Sequence, residues 1–529
     1  MSAEQVEAIR NGYTFSTPAV DLGALVVDGD AVDASAPVRV PLAMLNRHGL
    51  VAGATGTGKT KTLQVMAEQL SSAGVPVFLA DIKGDVSGMA VAGEGNDKIT
   101  SRMAELGQEW TPTAYPAEFF TLGGRGTGTP IRATVTSFGP ILLSKVLGLT
   151  DVQSSSLNLV FHYADKKGLP LLDIKDLRSV IQFLASDEGA EELKSLGGLA
   201  KQTAGVLLRE LIAFADAGAE DFFGEPEFAT ADFLRTTPDG RGVVSILELP
   251  GVVQQPALFS SFLMWLLADL FQDLPEVGDP DKPKLCFFFD EAHLLFKDAS
   301  KSFLESITQT VRLIRSKGVG VFFVTQTPKD VHADVLAQLG NRIQHALRAY
   351  TPDDAKALKA TASTFPTSEY DLEEVLTKLG TGEAIVTVLN EKGAPTPVAW
   401  TRMRAPQSLM AEAPATLLEE TTKNSVLYSQ YATAVDRESA YEMLLSRLNP
   451  QGTTAEQGSY PQGDPQAPSL PPAAPPAGKT STKAAKEEPG MVEQVLKSRT
   501  TQNLIKSAAA AAGAAIVRSI FGTARRKKS

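Results

Sequence analysis

Apolar residues along residues 47–90 follow the order of a strand, a loop, a helix and a second strand. "HGLVAG" is an apolar run that leads into glycines. Leu63, Met66, Ala67 and Leu70 then recur with the spacing of one buried helical face. "VPVFLADIKGD" is a continuous apolar run, as expected of a parallel strand that is buried on both faces. The pattern predicts a βαβ unit with a right-handed crossover.

The alternation of strands and helices returns after residue 241. "GVVSILELPG", "KLCFFFDEAHLLF" and "VGVFFVTQTP" have the pattern of buried strands, and an apolar helix over 257–274 follows the first of them. "GEAIVTVLN" and "APTPVAWTRMR" resemble two late antiparallel strands with "EKG" at the turn. This alternation predicts an α/β fold in which helices cover both faces of a mostly parallel sheet.

Changes of pattern and composition divide the chain into six parts. They are a short β lead-in (1–46), an α/β core (47–99 and 241–405), a helical insertion (100–240), a helical C-terminal segment (406–449), a disordered linker rich in Pro, Gly and Gln (450–490) and a basic amphipathic tail helix (491–529).

The composition of the chain limits the classes of protein to which it can belong. The chain has 529 residues, 43% hydrophobic and 21% charged, with a net charge of −11, which is ordinary for a globular protein of several domains and argues against a general nucleic-acid coat. The single cysteine, Cys286, lies in an apolar run and predicts a buried strand residue in a reducing cytoplasm. The sequence starts without a signal-peptide pattern, and the serines and aspartates of 257–274 argue against a transmembrane segment.

A phosphate-binding loop is predicted at "GATGTGKT", which satisfies G-x-x-x-x-G-K-[ST] in full. Its nucleotide-binding residues are Gly53, Ala54, Thr55, Gly56, Thr57, Gly58, Lys59 and Thr60. Glycines let backbone N–H groups turn towards phosphates, and the helix that begins here adds its positive end. Lys59 can reach the β- and γ-phosphates of ATP, and Thr60 can offer its hydroxyl to Mg²⁺.

Two acids follow the apolar run "LCFFF". Because the carboxyl ends of parallel strands face the ligand crevice, Asp290 would lie near Mg²⁺ and Glu291 could orient or deprotonate the attacking water. Capping of the next helix is the alternative role for these acids.

The letters D-E-A-H at 290–293 do not make the chain a DEAH-box helicase. That family keeps this motif much closer to its phosphate loop and carries a downstream Ser-Ala-Thr motif, which is absent here. Instead the next strand ends at Gln326, which could sense the γ-phosphate or be a polar strand-end residue.

Arginines mark one side of the helix that precedes this strand. Arg312 and Arg315 fall opposite its apolar face. They are either solvated surface residues or arginine fingers that reach the site of a neighbouring subunit.

Together, "GLVAGATGTGKTKT", "FLADIKGD", "FFFDEAHLLF" and "RLIRSKGVGVFFVTQTP" resemble the HerA/FtsK class of P-loop ATPases, and in particular a bacterial HerA-like group. The resemblance covers roughly residues 14–450. It implies a RecA-like core, homo-oligomeric rings, usually hexamers, with ATP sites between subunits, and for archaeal members DNA translocation with a nuclease partner. By position it implies Lys59 and Thr60 as the Walker A pair, Asp290 and Glu291 as the Walker B pair, Gln326 as sensor and Arg315 as arginine finger. Asp81 and Asp85 match acidic positions without an assigned role, and the full HerA β-barrel is not evident in 1–46.

The tail has an apolar helical stripe that includes Ile505, Ile516 and Ile520, followed by the basic run Arg525 to Lys528. It could pack on the protein itself or a partner, bind DNA phosphates, or make weak peripheral contact with an anionic membrane.

The sequence thus predicts an Mg²⁺-dependent ATPase, in a ring, that moves along or remodels DNA. An ATP-driven assembly or secretion factor that acts on protein is the alternative, and the acidic net charge slightly favours it. A nucleotide-binding scaffold with little ATP turnover is the third hypothesis.

Overall fold

One large sheet organises the chain. The computed structural model describes residues 1–29, 31–249, 256–296 and 301–448. Within these ranges the strands are β1 Ala19–Asp28, β2 Ala31–Pro41, β3 Gly49–Ala52, β4 Val77–Asp81, β5 Ala117–Leu122, β6 Thr129–Ile131, β7 Val244–Glu248, β8 Leu285–Phe289, β9 Val319–Thr325, β10 Asn341–His345, β11 Glu383–Thr387 and β12 Ala399–Met403.

Helices lie between and around these strands. In the same ranges they are α1 Ala3–Gly12, α2 Lys59–Ser72, α3 Asp97–Glu105, α4 Val135–Val146, α5 Asp151–Lys167, α6 Ile174–Ala185, α7 Asp187–Leu193, α8 Lys201–Asp216, α9 Pro256–Asp273, α10 His293–Phe296, α11 Lys301–Ile314, α12 Ala333–Leu336, α13 Pro352–Ala362, α14 Leu372–Lys378, α15 Ala415–Asn424, α16 Val426–Tyr431 and α17 Ala440–Leu448. Across the described ranges, every helix falls short of the length and apolarity that crossing a bilayer requires.

The strand order is β2-β1-β12-β11-β10-β3-β9-β8-β4-β7-β5-β6. From β10 to β6 every neighbouring pair is parallel, whereas β11, β12, β1 and β2 continue the sheet with antiparallel pairs. The predicted mostly parallel α/β sheet of a RecA-like P-loop fold is therefore confirmed, as is the late antiparallel pair. The parallel half brings the carboxyl ends of its strands to one edge.

The central strands are buried on both faces, as their unbroken apolar sequences predict. Phe287 and Phe289 of β8 stack on one face with ring centroids 5.8 Å apart. Phe288 points to the other face, where its ring centroid lies 5.0 Å from that of Phe322 in β9. Cys286, in the same strand, is fully buried, as predicted.

Two sequence intervals are more closely joined to the core than the sequence pattern indicates. The predicted lead-in, 1–46, contains α1 and two long strands, and β1 pairs with β12 in the main sheet. The predicted helical insertion, 100–240, also contributes β5 and β6, which extend the parallel half beyond β7. "AEFFTL" is a short buried run with helical patterns on both sides, so the sequence pattern did not indicate a strand there. The linker at 450–490 and the tail at 491–529 lie outside the described residues.

Tyr13 anchors the amino-terminal segment to the antiparallel part of the sheet. Its side chain is 1% exposed, and its hydroxyl lies 2.9 Å from the carbonyl oxygens of both Val386 and Pro397. We expect Tyr13→Phe to lower the free energy of unfolding by about 1–2 kcal/mol, because the buried carbonyl of Val386 and the partly buried carbonyl of Pro397 lose the one O–H donor that they share. Chemical denaturation measures this. Tyr350→Phe is the matched control, since Tyr350 is 83% exposed. Equal effects of the two variants would contradict the proposed anchor.

Candidate nucleotide-binding site

The phosphate loop leaves β3 and runs directly into α2. Gly53, Gly56 and Gly58 have φ angles of 156°, 78° and 116°, a region that side-chain-bearing residues rarely adopt. At Gly53 a β-carbon would also lie 2.5 Å from Cβ of His345, so a larger residue cannot fit. Of the residues predicted to bind nucleotide, Gly53 to Gly58 thus form a loop after a buried strand, and Lys59 and Thr60 begin α2.

Backbone hydrogen bonds fix the loop to three neighbouring elements. The N–H of Gly53 donates to the carbonyl of Thr325 at the end of β9 (3.2 Å). That of Ala54 donates to the carbonyl of Ala346 just after β10 (2.8 Å), and Thr57 accepts from the N–H of Gly382 before β11 (2.9 Å). The loop is therefore held in shape by the sheet rather than by its own sequence alone.

Lys59 is buried inside the loop. Its side chain is only 7% exposed, and its Nζ donates to the carbonyl oxygen of Ala54 at 3.1 Å. Burial lowers the pKa of this lysine, while the charges of Glu291 and Asp290 oppose the shift. Thr60 follows at the second position of α2 and is half-buried. A triphosphate in the loop would give the Lys59 ammonium the anionic partner that Ala54 now replaces.

Asp290 directly follows β8 and is 2% exposed. One carboxylate oxygen accepts from the N–H of Glu291 at 2.9 Å, and the other, Oδ2, is buried without a hydrogen-bond partner among the described residues. Burial raises the pKa of Asp290 to about 6. An unpartnered buried carboxylate oxygen fits a hard cation, so these residues suit Mg²⁺. Across the described ranges no cluster of three acids or histidines could hold a metal by itself, so phosphate and water would supply the other ligands.

Glu291 is held in an unusual backbone conformation. Its φ is 46°, a strained value for a residue other than glycine, and the N–H of the next residue, Ala292, donates to Val324 of β9 at 2.8 Å. Its carboxylate forms an ion pair with Lys83, and its Oε2 lies 3.2 Å from Nδ1 of His293. Burial alone would raise the pKa of Glu291, but the contacts with Lys83 outweigh it and the pKa is lowered. The geometry keeps this carboxylate ionised and fixed beside the phosphate loop.

Two further acids, Asp81 and Glu248, end β4 and β7, the two strands that follow β8 in the sheet order. Asp81 is fully buried and accepts from the backbone N–H groups of Lys83 (3.2 Å), Gly84 (2.8 Å) and Val86 (2.9 Å). It therefore shapes the loop that carries Lys83 to Glu291. Burial raises the pKa of Asp81 to about 6. Asp85, the other acid without an assigned role, is half-buried in this loop, and its Oδ1 has no partner among the described residues.

Glu248 was missed by the sequence analysis. It lies opposite Asp81 in the register of β7 and β4 and is 9% exposed. Burial, with repulsion from Asp81 and Glu412, raises its pKa to about 8. The acid that ends "VSILE" was the available signal, because it repeats the pattern of a buried strand ending on a carboxylate.

Gln326 and Arg315 lie at opposite edges of the sheet. Gln326 follows the carboxyl end of β9 and is exposed between the ends of β3 and β8, next to the site. Arg315 lies before the amino end of β9 and is exposed, as is Arg312. The structure therefore brings Gln326 to the site and places both arginines away from the site of their own chain.

His345 is a second residue that the sequence analysis missed. It ends β10, is fully buried and lies with Nε2 2.9 Å from the hydroxyl of Thr62 on α2, while Nδ1 is 2.8 Å from the carbonyl of Glu383. Since a carbonyl can only accept, Nδ1 carries the proton and Nε2 accepts from Thr62. Burial lowers the pKa of His345 to about 4, so it is neutral and fixes the first turn of α2.

The sheet order, the phosphate loop on β3 and the acids on β8 define a P-loop NTPase. A family model described as "Helicase HerA-like C-terminal" matches residues 29–528, and the chain belongs to this family. The resemblance drawn from the motifs is thereby confirmed at the level of the HerA-like P-loop ATPases.

Individual relatives are distant. The chain is 24% identical over 362 residues to the "DNA double-strand break repair helicase HerA" of Sulfurisphaera tokodaii, covering 68% of this chain and 66% of the relative. The relative of the same description from Saccharolobus solfataricus is 24% identical over 364 residues, with 68% and 65% covered. The chain thus spans just under two thirds of the length of these curated relatives. Among solved structures, the plasmid coupling protein TrwB in complex with the ATP analogue ADPNP has a TM-score of 0.49 and 17% identity, covering 76% of this chain and 98% of that chain.

The raised pKa of Glu248 makes stability depend on pH. Because its folded pKa of about 8 lies above the ordinary value of 4.5, the folded state holds a proton that the unfolded state releases, and this stabilisation is lost as pH rises towards 8. We expect Glu248→Gln to match the wild type at pH 5 and to be more stable by roughly 2–4 kcal/mol at pH 9. Denaturation without nucleotide at both pH values measures this. The exposed Glu7→Gln is the control, and a Glu248→Gln difference that does not grow with pH would contradict the expectation.

Proposed function

We propose that this chain is an Mg²⁺-dependent ATPase that assembles into a ring, with a hexamer expected, and moves along or remodels DNA. The observation that carries the ATPase proposal is the meeting of three groups at one sheet edge: the preformed loop around Lys59, the unpartnered Asp290 oxygen and the oriented Glu291 carboxylate. Phosphoryl transfer requires a phosphate cradle, a metal-binding carboxylate and a group that positions water.

Each residue has a distinct task in this proposal. Lys59 and the loop N–H groups bind the phosphates, and Thr60 and Asp290 hold the metal. Bound Mg²⁺ would neutralise charge that develops on the phosphates. Glu291 orients the attacking water and accepts its proton, and Gln326, between β3 and β8, contacts the γ-phosphate or that water.

The position of Arg315 supports a ring. Since it lies at the amino end of β9, its guanidinium cannot serve the site at the carboxyl end in its own chain. An arginine finger supplied by a neighbouring subunit would place this face of one protomer against the nucleotide site of the next. Arg315 is exposed, so its guanidinium is accessible to a neighbouring subunit.

DNA as the substrate is supported by the family and by two of its relatives, each described as a DNA double-strand break repair helicase. A nuclease or another protein is the expected partner by the same resemblance. The assembly or secretion alternative, which the net charge of −11 favours, would need no response to DNA.

The decisive measurement is ATP hydrolysis with and without duplex DNA at low salt. We expect DNA to stimulate the rate and higher salt to weaken the effect, since phosphate contacts are salt-dependent. No stimulation by any form of DNA would support the protein-remodelling alternative instead.

The Glu291→Gln variant tests the candidate site: it should bind ATP normally yet lose hydrolysis by at least about 10²-fold. Unchanged hydrolysis in Glu291→Gln would remove Glu291 from its proposed role.

A mixing experiment tests Arg315. We expect Arg315→Ala to lower hydrolysis by roughly 10³-fold, and Lys59→Ala to abolish it. When the two variants are co-expressed, intact Arg315 of one subunit would meet an intact phosphate loop of the other, so activity should return. Arg312→Ala in place of Arg315→Ala is the matched control, because both arginines are exposed around the end of α11. Co-purified mixed assemblies that remain inactive would contradict a role in trans.

A further inference from the structure

A cavity of about 630 Å³ lies among the helices of the interval 100–240. Its walls are the start of α4, the second half of α5 with the turn that leads to α6, and two short segments around Glu225 and Arg437. These residues are all distinct from those of the candidate nucleotide site. A cavity of this volume is large enough to take a ligand or several side chains of a bound peptide.

Hydrogen bonds between distant segments hold the cavity walls in place. The N–H and the hydroxyl group of Thr136 both donate to the carbonyl of Leu171, at 2.8 and 2.9 Å. Arg437 donates from Nε and Nη2 to the two carboxylate oxygens of Glu225, at 2.6 and 2.9 Å. The cavity is therefore preformed, and the segment that leads into α17 is one of its walls.

The cavity combines an apolar interior with acidic surroundings. Its apolar lining residues include Leu169, which is buried, and Phe161, which is half-buried. Its acidic lining residues are Asp165, which is exposed, and Glu225 and Glu227, which are half-buried. Acids therefore outnumber the arginine of the lining. Such a cavity suits a peptide that presents apolar residues together with lysines or arginines.

The chain itself contains a segment with this chemistry. Residues 491–529 contain eight basic residues and one acid, Glu493, although the whole chain has a net charge of −11. The rest of the chain is therefore strongly acidic. The apolar helical stripe that the sequence predicts in this tail is followed by the basic run Arg525 to Lys528. One segment can thus supply both apolar contact within the cavity and positive charge beside its acids.

The path of the chain makes this tail available to the cavity. α17 begins at a cavity wall, where the N–H of Ala440 donates to the carbonyl of Pro170 (3.0 Å), and it ends at Leu448, about 13 Å further along its axis. Residues 449–490 connect this point to the tail. A random coil of that length has an average end-to-end distance of roughly 35 Å, so the connection is long enough for the tail to return to the cavity of its own chain.

We propose that this cavity is the docking site of the chain's own basic tail, residues 491–529, with apolar residues of the tail in the cavity and its basic run beside the acids. The inference goes beyond the proposed ATPase function and does not depend on it, because the cavity shares no residue with the candidate nucleotide site. Covalent attachment favours this occupant, since it gives the tail a high effective concentration at the cavity.

Cross-linking of paired cysteines in the full chain tests the docking. Cys286, the single cysteine, is buried, so introduced cysteines are the ones that react with a short bismaleimide. We expect Asn158→Cys with Ile516→Cys to give at least about fivefold more cross-link within one chain than Ile212→Cys with Ile516→Cys. Asn158 lines the cavity, whereas the control residue Ile212 is 40% exposed on α8 and is not part of the lining.

Charge reversal provides a second readout in the same cross-linking experiment. We expect Asp165→Lys to lower the yield about threefold, because it places a positive charge beside the basic run of the docked tail. Asp187→Lys is the matched control, since Asp187 is an exposed acid at the start of α7 and its reversal changes the net charge equally. An equal loss of yield in the two variants would overturn the role given to the acids of the cavity.

Two further outcomes would overturn the docking itself. One is an equal yield from Asn158→Cys and Ile212→Cys, found with Ile516→Cys and again with Ile505→Cys and Ile520→Cys in the tail. The other is a cross-linked dimer in place of a cross-link within one chain, because the cavity would then receive the tail of a second copy.

Discussion

Parallel pairing of β3, β9 and β8 is the constraint on which the rest of the site depends. These pairs have continuous registers, from Gly49↔Phe322 to Ala52↔Thr325 and from Leu285↔Val319 to Phe289↔Phe323. Because parallel strands end at one edge, the pairing brings the phosphate loop, Gln326 and the two acids together although they are far apart in sequence. A one-residue slip would turn every side chain to the other face and separate these groups.

This arrangement has a cost, because it buries ionisable side chains. Asp81, Glu248 and Asp290 end neighbouring strands in a region of low exposure, and burial raises the pKa of each. Backbone N–H donors compensate Asp81 within the chain, but Glu248 and Asp290 each keep a buried oxygen without a partner in the described part of the structure. The site is therefore electrostatically incomplete, and at Asp290 a cation would complete it.

Short sequence patterns predicted the loop, the helix and the strand that form the site. Which other residues lie there depends on pairing between strands that are far apart in sequence. The phosphate loop and the acids after "LCFFF" each carry a short motif, so their positions on β3, α2 and β8 could be anticipated. His345 carries no such motif, and Glu248 offers only the weaker signal of an acid that ends an apolar run. Their roles depend on β10 lying next to β3 and on β7 lying next to β4, and strand order cannot be derived from periodicity. β5 and β6 were missed for a local reason instead, because each is a short apolar run within the helical interval 100–240.

The antiparallel extension of the sheet has a consequence for this site as well as for stability. β11 and β12 lie beyond β10, and the turn before β11 bonds to the phosphate loop through Gly382 and Thr57. β1 pairs with β12, and Arg102 of α3 donates to the carbonyl groups of Gly382 and of Met403 at the end of β12, so both the amino-terminal segment and α3 support this turn. A change in the loop when phosphates bind would thus be resisted by Arg102 and by the packing of β12. The antiparallel half of the sheet therefore supports the phosphate loop, while β8 and β4, on the other side of β3, end on the acids of the candidate site.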